Sequence, residues 1–374
     1  MSCTPDCCTE QTALRARLNR AYSLSPLHRL VLRLRRLLRR RSAPFFRLDL
    51  CWAFLSNRSC NPQLKQFYNL MPPADHRPVH VPVMPREVLQ WLQLTTGLTV
   101  LDGTVGAGGH SLLILKALGE TGQLIGLDRD PMMLAIAGQK LQHEQLKNCH
   151  LLRASYADAS SVLQQLGVGG VDRVVLDLGL SSDQLADRQR GFGFDAGGQL
   201  DMRYHPHEGR PAAELLRTLD EKQLEDIFRM HGEEPAAAKV AIEIVRRRRL
   251  GHPVTTAEEL ESCVRDAVGA ARATGGRNPA TRVFQALRIA TNDELQHVER
   301  MLTEVLPTIL NPGGIAVILT FHSLEDRIVK NAFKGHQGWQ VLTKTPQAAT
   351  PAEIRLNPRS RSAKLRAARW LGNC

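Results

Sequence analysis

The sequence predicts an α/β fold, a Rossmann-like parallel sheet interrupted by an inserted α-helical domain. The prediction rests on short apolar runs that alternate with helical patterns from residue 98 onward. The runs that predict strands are LTVLDG, QLIGLD, CHLLRA, DRVVLDLG and, after the interruption, IAVILTF. The helical patterns between them are HSLLILKAL, PMMLAIAGQKL and ADASSVLQQL. Such alternation with short connections is typical of a parallel sheet that helices cover on both faces.

The interruption, residues 187–280, contains three helical patterns. They are LDEKQLEDIFRMHG, AAAKVAIEIVRRRR and TTAEELESCVRDAV, the last expected to begin with a capping box from Thr255 to Glu258. We therefore predict a sheet domain in two parts, residues 76–186 and 281–374, around a helical substrate-recognition domain. The second part is expected to contain one long helix, ATRVFQALRIATNDELQHVERMLTEVLPTIL, and to end in a basic tail.

The positive charge of the chain is concentrated near its start. The formal net charge is +12, but residues 11–47 hold eleven arginines and no acidic residue, and from Leu48 onward 38 basic residues face 35 acidic ones. An acid-free, arginine-rich segment such as SPLHRLVLRLRRLLRRR is typical of an organellar transit peptide. We expect residues 1–75 to be a targeting leader and disordered linker. A basic arm that is retained and binds RNA or lipid head groups is the alternative.

Cysteine spacing and hydropathy indicate what kinds of site and segment to expect. The eight cysteines form no Cys-x-x-Cys pair, and no cluster with histidine has the spacing of a zinc site. No apolar run approaches the roughly 18 residues of a membrane span. We therefore expect a soluble protein with reduced cysteines, no metal and no membrane partner.

The stretch LDGTVGAGGH follows the first predicted strand and is rich in glycine. Gly106, Gly108 and Gly109 would let the backbone approach a ligand, and the next helix would offer free N–H groups at its start. Asp128 closes the second strand, where a carboxylate can accept both hydroxyls of a ribose. A glycine-rich turn alone is weak evidence, but together with this acid it favours a nucleoside cofactor.

Which nucleoside cofactor binds stays open at this level, although the acids at the strand ends suit one without phosphate. A dinucleotide fingerprint requires a third glycine where this chain has Ser111. S-adenosylmethionine lacks phosphate and has a sulfonium and an ammonium group, so it suits carboxylates such as Asp102, Asp128 and Asp177. For each of these acids, capping of the following helix is the alternative, and for Asp102 the two interpretations weigh equally.

Longer motifs then make the sequence specific. HVPVMPREVL, GTVGAGGH, LDRDP, VLDLGLSSDQL, RGFGF, LDMR, GEE, ATRVFQALRIATNDEL, FHSLEDRIVK and NPRSRSAKLR occur in order. With them the chain resembles the ribosomal small-subunit RNA cytosine-N4 methyltransferase family, of MraW or RsmH type, from about His80 to Arg369. The leader makes it similar to a mitochondrial member, located in the matrix.

The resemblance implies a class I S-adenosylmethionine-dependent methyltransferase fold. The implied activity is N4-methylation of a cytidine in mitochondrial small-subunit (12S) rRNA near the decoding site, in support of subunit assembly and mitochondrial translation. Carried over by motif, the residues around the cofactor would be Gly108, Gly109, His110, Asp128, Tyr156, Asp177 and Gln184. Of these, Asp128 would hold the ribose, and Tyr156 stands near the adenine where the family typically has phenylalanine.

Asp177 is the candidate catalytic residue. The exocyclic amine of cytosine is a poor nucleophile because its lone pair is delocalised into the ring, so an enzyme must orient it and accept its hydrogens. Many amino-methyltransferases use an Asp/Asn-Pro-Pro-aromatic turn here, whereas this chain reads DLGL. Methylation at carbon is less expected, because no cysteine follows a proline.

Five further side chains are candidates for contact with RNA: Arg203, Arg246, His322, Arg359 and Arg361. The arginines would meet phosphates, although the run that begins at Arg246 is equally well explained as a solvated helix end. His322 would touch the base or cap the next helix, and Ser323 is expected to cap. The tail IRLNPRSRSAKLRAARW would contact rRNA or else pack along the domain.

Two other function classes remain open at this point. One is a ribosome assembly factor that binds rRNA, with methylation dispensable; the intact glycines and strand-end acids favour cofactor binding but do not decide between them. The other is a dehydrogenase, which Ser111 disfavours. If the chain is a methyltransferase, the target base must be accessible, so an assembly intermediate is the expected substrate. The sequence does not indicate an oligomeric state.

Overall fold

The computed structural model describes residues 81–194, 198–269 and 278–372. The predicted leader, residues 1–75, lies outside the described residues. All the described residues belong to one structural unit.

The central sheet is parallel, as predicted, and is extended by antiparallel strands. Its strands are β1 (Thr99–Asp102), β2 (Gln123–Asp128), β3 (Cys149–Arg153), β4 (Val171–Asp177), β5 (Leu310–Thr320), β6 (Trp339–Val341), β7 (Gln347–Ala348) and β8 (Lys364–Trp370). The order is β3-β2-β1-β4-β5-β8-β6, with β7 paired to β8. Strands β1 to β5 pair in parallel, and β8 pairs antiparallel to β5, β6 and β7. The carboxyl ends of β1, β2, β4 and β5 therefore meet at one edge, where ligands of open α/β sheets bind.

Helices connect and flank these strands. They are α1 (Pro85–Leu92), α2 (Gly109–Leu118), α3 (Pro131–His143), α4 (Ala159–Gln165), α5 (Ser182–Ala186), α6 (Ala212–Thr218), α7 (Glu221–Gly232), α8 (Ala237–Arg249), α9 (Ala257–Val268), α10 (Thr281–Asn292), α11 (Glu294–Arg300), α12 (Leu306–Ile309), α13 (Ser323–Gly335) and α14 (Pro351–Leu356). Short 3-10 segments, Tyr156–Asp158 and Pro358–Ser362, precede α4 and β8, and π-helical turns, Met301–Val305, join α11 to α12.

The strands of the sheet bury apolar residues on both faces. Leu101 and Val174 pack into one core cluster, together with residues of α4, α12 and α13. The residues beside them in sequence, Val100 and Val175, pack into a second cluster with residues of α1 and α2. Because successive strand residues point to opposite faces, this division confirms a sheet covered on both sides.

The segments α6 to α10 form a helical module with a core of its own, which includes Leu216, Phe228, Leu260 and Leu287. Helix α6 is absent from the sequence prediction. Helix α10, which we placed in the second part of the sheet domain, packs by its buried face into this core. The predicted long helix is interrupted after it, where Asp293 adopts a left-handed φ of 53°.

One local prediction is wrong in detail, and the basic tail takes one of its two expected arrangements. The capping box of α9 joins Thr256 to Glu259, one residue later than predicted. The basic tail forms strand β8, in which Trp370 is only 2% exposed and Arg366 bonds to Asp326 within the fold. The tail therefore packs along the domain. In the described part of the chain, no helix is both long and apolar enough to cross a bilayer.

Candidate active site

A pocket of about 870 Å³, partly open to solvent, lies at the carboxyl ends of the strands. Seven of the predicted site residues line it: Gly106, Gly109, His110, Asp128, Tyr156, Asp177 and Gln184. They come from the glycine-rich loop after β1, from the ends of β2 and β4, and from the segments after β3 and β4. The fold therefore brings most of the predicted cofactor residues to one place.

Asp128 is fixed by backbone hydrogen bonds at the end of β2. The N–H of Gly106 donates to its Oδ2 and the N–H of Asp130 donates to its Oδ1, both at 2.8 Å. Burial raises the pKa of the Asp128 carboxyl to about 6, against the opposing effect of these two hydrogen bonds. Each oxygen keeps a second lone pair, so the carboxylate can accept two further hydrogen bonds, as a ribose diol would donate.

His110 and Asp177 face each other in the pocket. Nε2 of His110 lies 3.6 Å from Oδ2 of Asp177. His110 Nε2 and Asp177 Oδ1 are both buried without a hydrogen-bond partner. Thr104 Oγ1 accepts a hydrogen bond from the backbone N–H of Asp177 at 2.6 Å, which fixes the end of β4 to the glycine-rich loop. Buried polar atoms without partners mark positions where a bound ligand would supply hydrogen bonds.

Two predicted cofactor residues instead support the loop from behind. Asp102, 1% exposed, accepts hydrogen bonds from Thr104 N–H at 3.1 Å and Ser111 Oγ at 2.6 Å. Burial raises its pKa. Gly108 has a φ of +74°, and a Cβ there would lie 3.1 Å from the Cβ of Ala137 on α3. Neither residue lines the pocket. Asp102 does not cap α2 either, because the N-cap Gly108 has no side-chain cap; it accepts from Thr104 in the loop and from the Ser111 side chain. Gly108 serves helix packing.

Gln184 lines the pocket, but its amide is engaged in the fold. Its Oε1 accepts from Ser181 N–H at 3.0 Å, in the capping box of α5, and its Nε2 donates to Asp130 Oδ2 at 2.9 Å. Asp130 also pairs with Arg190, whose guanidinium donates to the carbonyl of Tyr204 at 2.9 Å. The sequence analysis missed Asp130, although an acid directly before Pro131 is a signal for a helix N-cap, which it forms.

The pocket also contains residues that the sequence analysis did not single out. Gly103 must be glycine, because a Cβ there would collide with the Leu176 side chain and lie 2.9 Å from Tyr156 Cβ. Glu294 lines the far side of the pocket, where it accepts from Tyr204 Oη at 2.8 Å. The pocket residues that sequence reasoning missed include Gly103, Arg129, Tyr204, Glu294 and Glu325.

The predicted RNA contacts lie outside the pocket, and two are paired within the fold. Arg203 donates to Asp201 at 2.7 Å, and this hydrogen bond raises the pKa of its guanidinium. Arg246 donates to Glu243 at 2.7 Å and 2.8 Å. Both guanidinium groups therefore already have carboxylate partners.

The other three residues predicted to contact RNA differ in how far their side chains already bond within the fold. His322 caps α13, and Ser323, the expected cap, donates from Oγ to Glu233 at 2.6 Å instead. Arg359 is half-buried and donates to Oγ of Ser182, the first residue of α5, at 2.5 Å. Burial lowers its pKa. Arg361 is exposed.

One group of side chains has the geometry of a metal site. Glu294, His322 and Glu325 each offer a ligand atom, and these atoms lie within 4.8 Å of one another. The guanidinium of Arg288 already donates to both oxygens of Glu294 at 2.9 Å, so one of the two negative charges is offset by the protein.

Comparison with known proteins shows the family to which the chain belongs. Residues 77–371 match the model of the MraW methylase family. The chain belongs to this family. Curated relatives include "Ribosomal RNA small subunit methyltransferase H" of Rhodopirellula baltica, 44% identical over 299 residues that cover 78% of this chain and 91% of the relative. The protein of the same name from Sorangium cellulosum is 44% identical over 305 residues, which cover 81% and 95%.

As an MraW methylase, the chain is a methyltransferase whose cofactor is S-adenosylmethionine. The pocket fits this molecule. Asp128 would hold the ribose, and Tyr156, whose ring lies edge-on to His297 with centroids 6.3 Å apart, would flank the adenine. The carboxylate of Asp177 suits a positive charge, and Gly106 and Gly109 line the same pocket. When bound, S-adenosylmethionine supplies an electrophilic methyl group.

Proposed function

We propose that this MraW methylase methylates N4 of a cytidine in mitochondrial small-subunit (12S) rRNA near the decoding site. The observation that carries the proposal is the unpartnered, buried Oδ1 of Asp177, at a strand end in the pocket of a methylase. The small-subunit rRNA named for the relatives supports the substrate class. This modification would support assembly of the small subunit and mitochondrial translation.

The role of Asp177 is to orient the amine. A carboxylate oxygen that accepts one N–H of the exocyclic amine would direct the nitrogen lone pair toward the methyl group. Preorganisation of this kind needs a rigid strand end. Here the N–H of Leu178 donates to the carbonyl of Leu319 at 3.1 Å, and a Cβ on Gly179 would lie 2.7 Å from the ring of Phe321. The end of β5 and the residue after it therefore hold the DLGL turn, which lacks the prolines of other amino-methyltransferases.

The location and the timing of the reaction are part of the proposal. The arginine-rich segment between residues 11 and 47 supports import into the mitochondrial matrix. A paired cytosine holds its amine in a hydrogen bond, so the base must be single-stranded or flipped into the pocket. We therefore expect precursor subunits to be methylated faster than mature subunits, and equal labelling of both would contradict this timing.

The experiment that tests the activity is mass spectrometry of small-subunit rRNA nucleosides from mitochondria that lack the protein. Wild type, Asp177→Ala and the exposed-site control Asp226→Ala are expressed in the deleted cells at equal levels. N4-methylcytidine should disappear on deletion and return with wild type and the control, but not with Asp177→Ala.

Persistence of the modified nucleoside after deletion would contradict the catalytic proposal. If small subunits nevertheless failed to assemble in the deleted cells, an rRNA-binding assembly factor with dispensable methylation would be the better description of the chain.

A further inference from the structure

The pocket contains a second unpartnered group besides Asp177. Nε2 of His110 is buried, has no hydrogen-bond partner and lies 3.6 Å from Asp177 Oδ2. We propose that His110 accepts the proton that the target amine loses, while Asp177 orients the amine. The proposal rests on the proposed function, because it assigns a role within that reaction.

Both side chains are held by rigid elements. His110 is the second residue of α2 and is 8% exposed. A Cβ on the neighbouring Gly109 would lie 3.2 Å from the ring of Pro82, so the start of the helix is packed from outside. Asp177 is anchored by its backbone N–H to Thr104 Oγ1 at 2.6 Å. The two groups therefore face each other without rearrangement of the fold.

Methyl transfer to N4 forms one bond as another breaks, and one proton then leaves the nitrogen. The N4 lone pair of cytidine forms the new N–CH₃ bond as the S–CH₃ bond breaks, and the sulfur keeps that electron pair. The methylated nitrogen carries a positive charge until one of its two protons leaves. Asp177 Oδ1 accepts the N–H that stays, and the Nε2 lone pair of His110 takes the other proton, in the tautomer that has its hydrogen on Nδ1.

Electrostatics favour histidine over aspartate as the acceptor. The sulfonium charge vanishes on transfer, and an imidazolium at His110 keeps one positive charge beside the carboxylate of Asp177. A proton on Asp177 would instead leave that position neutral. The carboxylate beside His110 is that of Asp177 on β4, with 3.6 Å between Nε2 and Oδ2.

The test compares full-length wild type with His110→Gln, His110→Ala and the control His150→Gln, an exposed histidine on β3. Single-turnover methylation of precursor small-subunit rRNA is followed across a pH series, and S-adenosylmethionine affinity is measured separately by calorimetry. We expect His110→Gln to lower the rate about 100-fold or more, as for loss of a general base, with cofactor affinity changed only a few-fold. Added imidazole should restore part of the rate to His110→Ala alone.

Several outcomes would overturn the proposal. One is a His110→Gln variant that loses cofactor affinity but keeps the saturated rate, since His110 would then be only a wall of the cofactor pocket. His110 would also be only a wall of the cofactor pocket if His110→Gln kept the wild-type pH dependence of the rate and imidazole did not raise the rate of His110→Ala. A wild-type protein that binds S-adenosylmethionine and modifies no cytidine would refute the proposed function itself, so the two failures are distinguishable.

Discussion

The ionisation of Asp128 should make cofactor binding depend on pH. Burial raises the pKa of this carboxyl from 3.8 to about 6. The ionised form accepts hydrogen bonds from the ribose hydroxyls, so affinity should fall about tenfold for each pH unit below 6. Calorimetric titration with S-adenosylmethionine from pH 5 to 8 measures this. Asp128→Asn should bind weakly with a flat profile, and a wild-type affinity that is constant over this range would contradict the assignment.

The same pKa shift acts on stability with a defined sign. The folded protein holds the Asp128 proton more tightly than the unfolded chain, so this group stabilises the free protein below pH 3.8 and the contribution is lost as the pH rises through about 6. Cofactor affinity and the stability contribution of this carboxyl therefore change in opposite directions across the same interval.

Gly103 should be intolerant of a single methyl group. Its Cβ would collide with the Leu176 side chain and lie 2.9 Å from Tyr156 Cβ, so strand end and pocket would both be displaced. We expect Gly103→Ala to lower the free energy of unfolding by about 1–3 kcal/mol, as overpacking does, and to weaken cofactor binding. Gly169→Ala is the control, since a Cβ there meets nothing within 4 Å. Urea denaturation of both variants measures the difference, and equal stabilities would refute this argument.

The sequence predicted the pocket residues that end a strand. Asp128 and Asp177 are predictable because a parallel sheet gathers its strand ends at one edge. Glu294 and Tyr204 are not, because 90 residues separate them and only the packing of the helical module brings them together. Asp102 is a strand-end acid that supports the loop instead of lining the pocket. The spacing of such acids in the sequence does not distinguish these two uses of a carboxylate.

At the scale of elements, Asp130 connects α3, the loop around α5 and the segment before the helical module. It caps α3, accepts from Gln184 and pairs with Arg190, and it is 1% exposed. Asp130→Ala should lower the free energy of unfolding by about 3–5 kcal/mol, because the Arg190 charge loses its partner in a mostly buried position. Asp226→Ala, which breaks an exposed pair with Lys222, should hardly change it. Chemical denaturation that ranks the two variants equally would contradict this role.

Elements with a clean apolar period were predictable, whereas others, such as α6 and β8, were not. Strands β1, β2, β4 and β5 contain buried apolar runs that the sequence marks plainly, and β3 is a run that is only partly buried. Helix α6 has only seven residues, too few for the helical period to stand out. Strand β8, KLRAARW, was hidden because three basic residues interrupt it; Arg366 is buried only because Asp326 on α13 pairs with it, a partner 40 residues away. The ion pair with Asp326, which the local sequence pattern does not show, lets Arg366 be buried within this strand.

For the whole molecule, the helical module and the sheet have separate apolar cores. Polar contacts join them, such as the bond from Arg129 to the Asn292 carbonyl at 2.6 Å and from Arg327 to Glu233 at 3.0 Å. Water competes for polar contacts more readily than for apolar ones, so we expect the module to open before the sheet unfolds.

Cys263 provides the measurement for that expectation. Its thiol is buried in the core of the module, and burial raises its pKa to about 12, so it should not be alkylated in the native state. Peptide-resolved alkylation should modify Cys263 at a lower urea concentration than the one at which fluorescence of the sheet residues Trp339 and Trp370 changes. Coincident transitions would instead indicate that module and sheet unfold as one cooperative unit.

The position of β8 within the sheet determines when a newly synthesised chain can complete its fold. Residues 364–370 are the last strand in sequence, yet they lie between β5 and β6 rather than at an edge. The sheet therefore cannot close while this segment is still inside the ribosomal tunnel. A nascent chain would expose the edge of β5, where another strand can add, so chaperone occupancy should last until residue 370 has emerged.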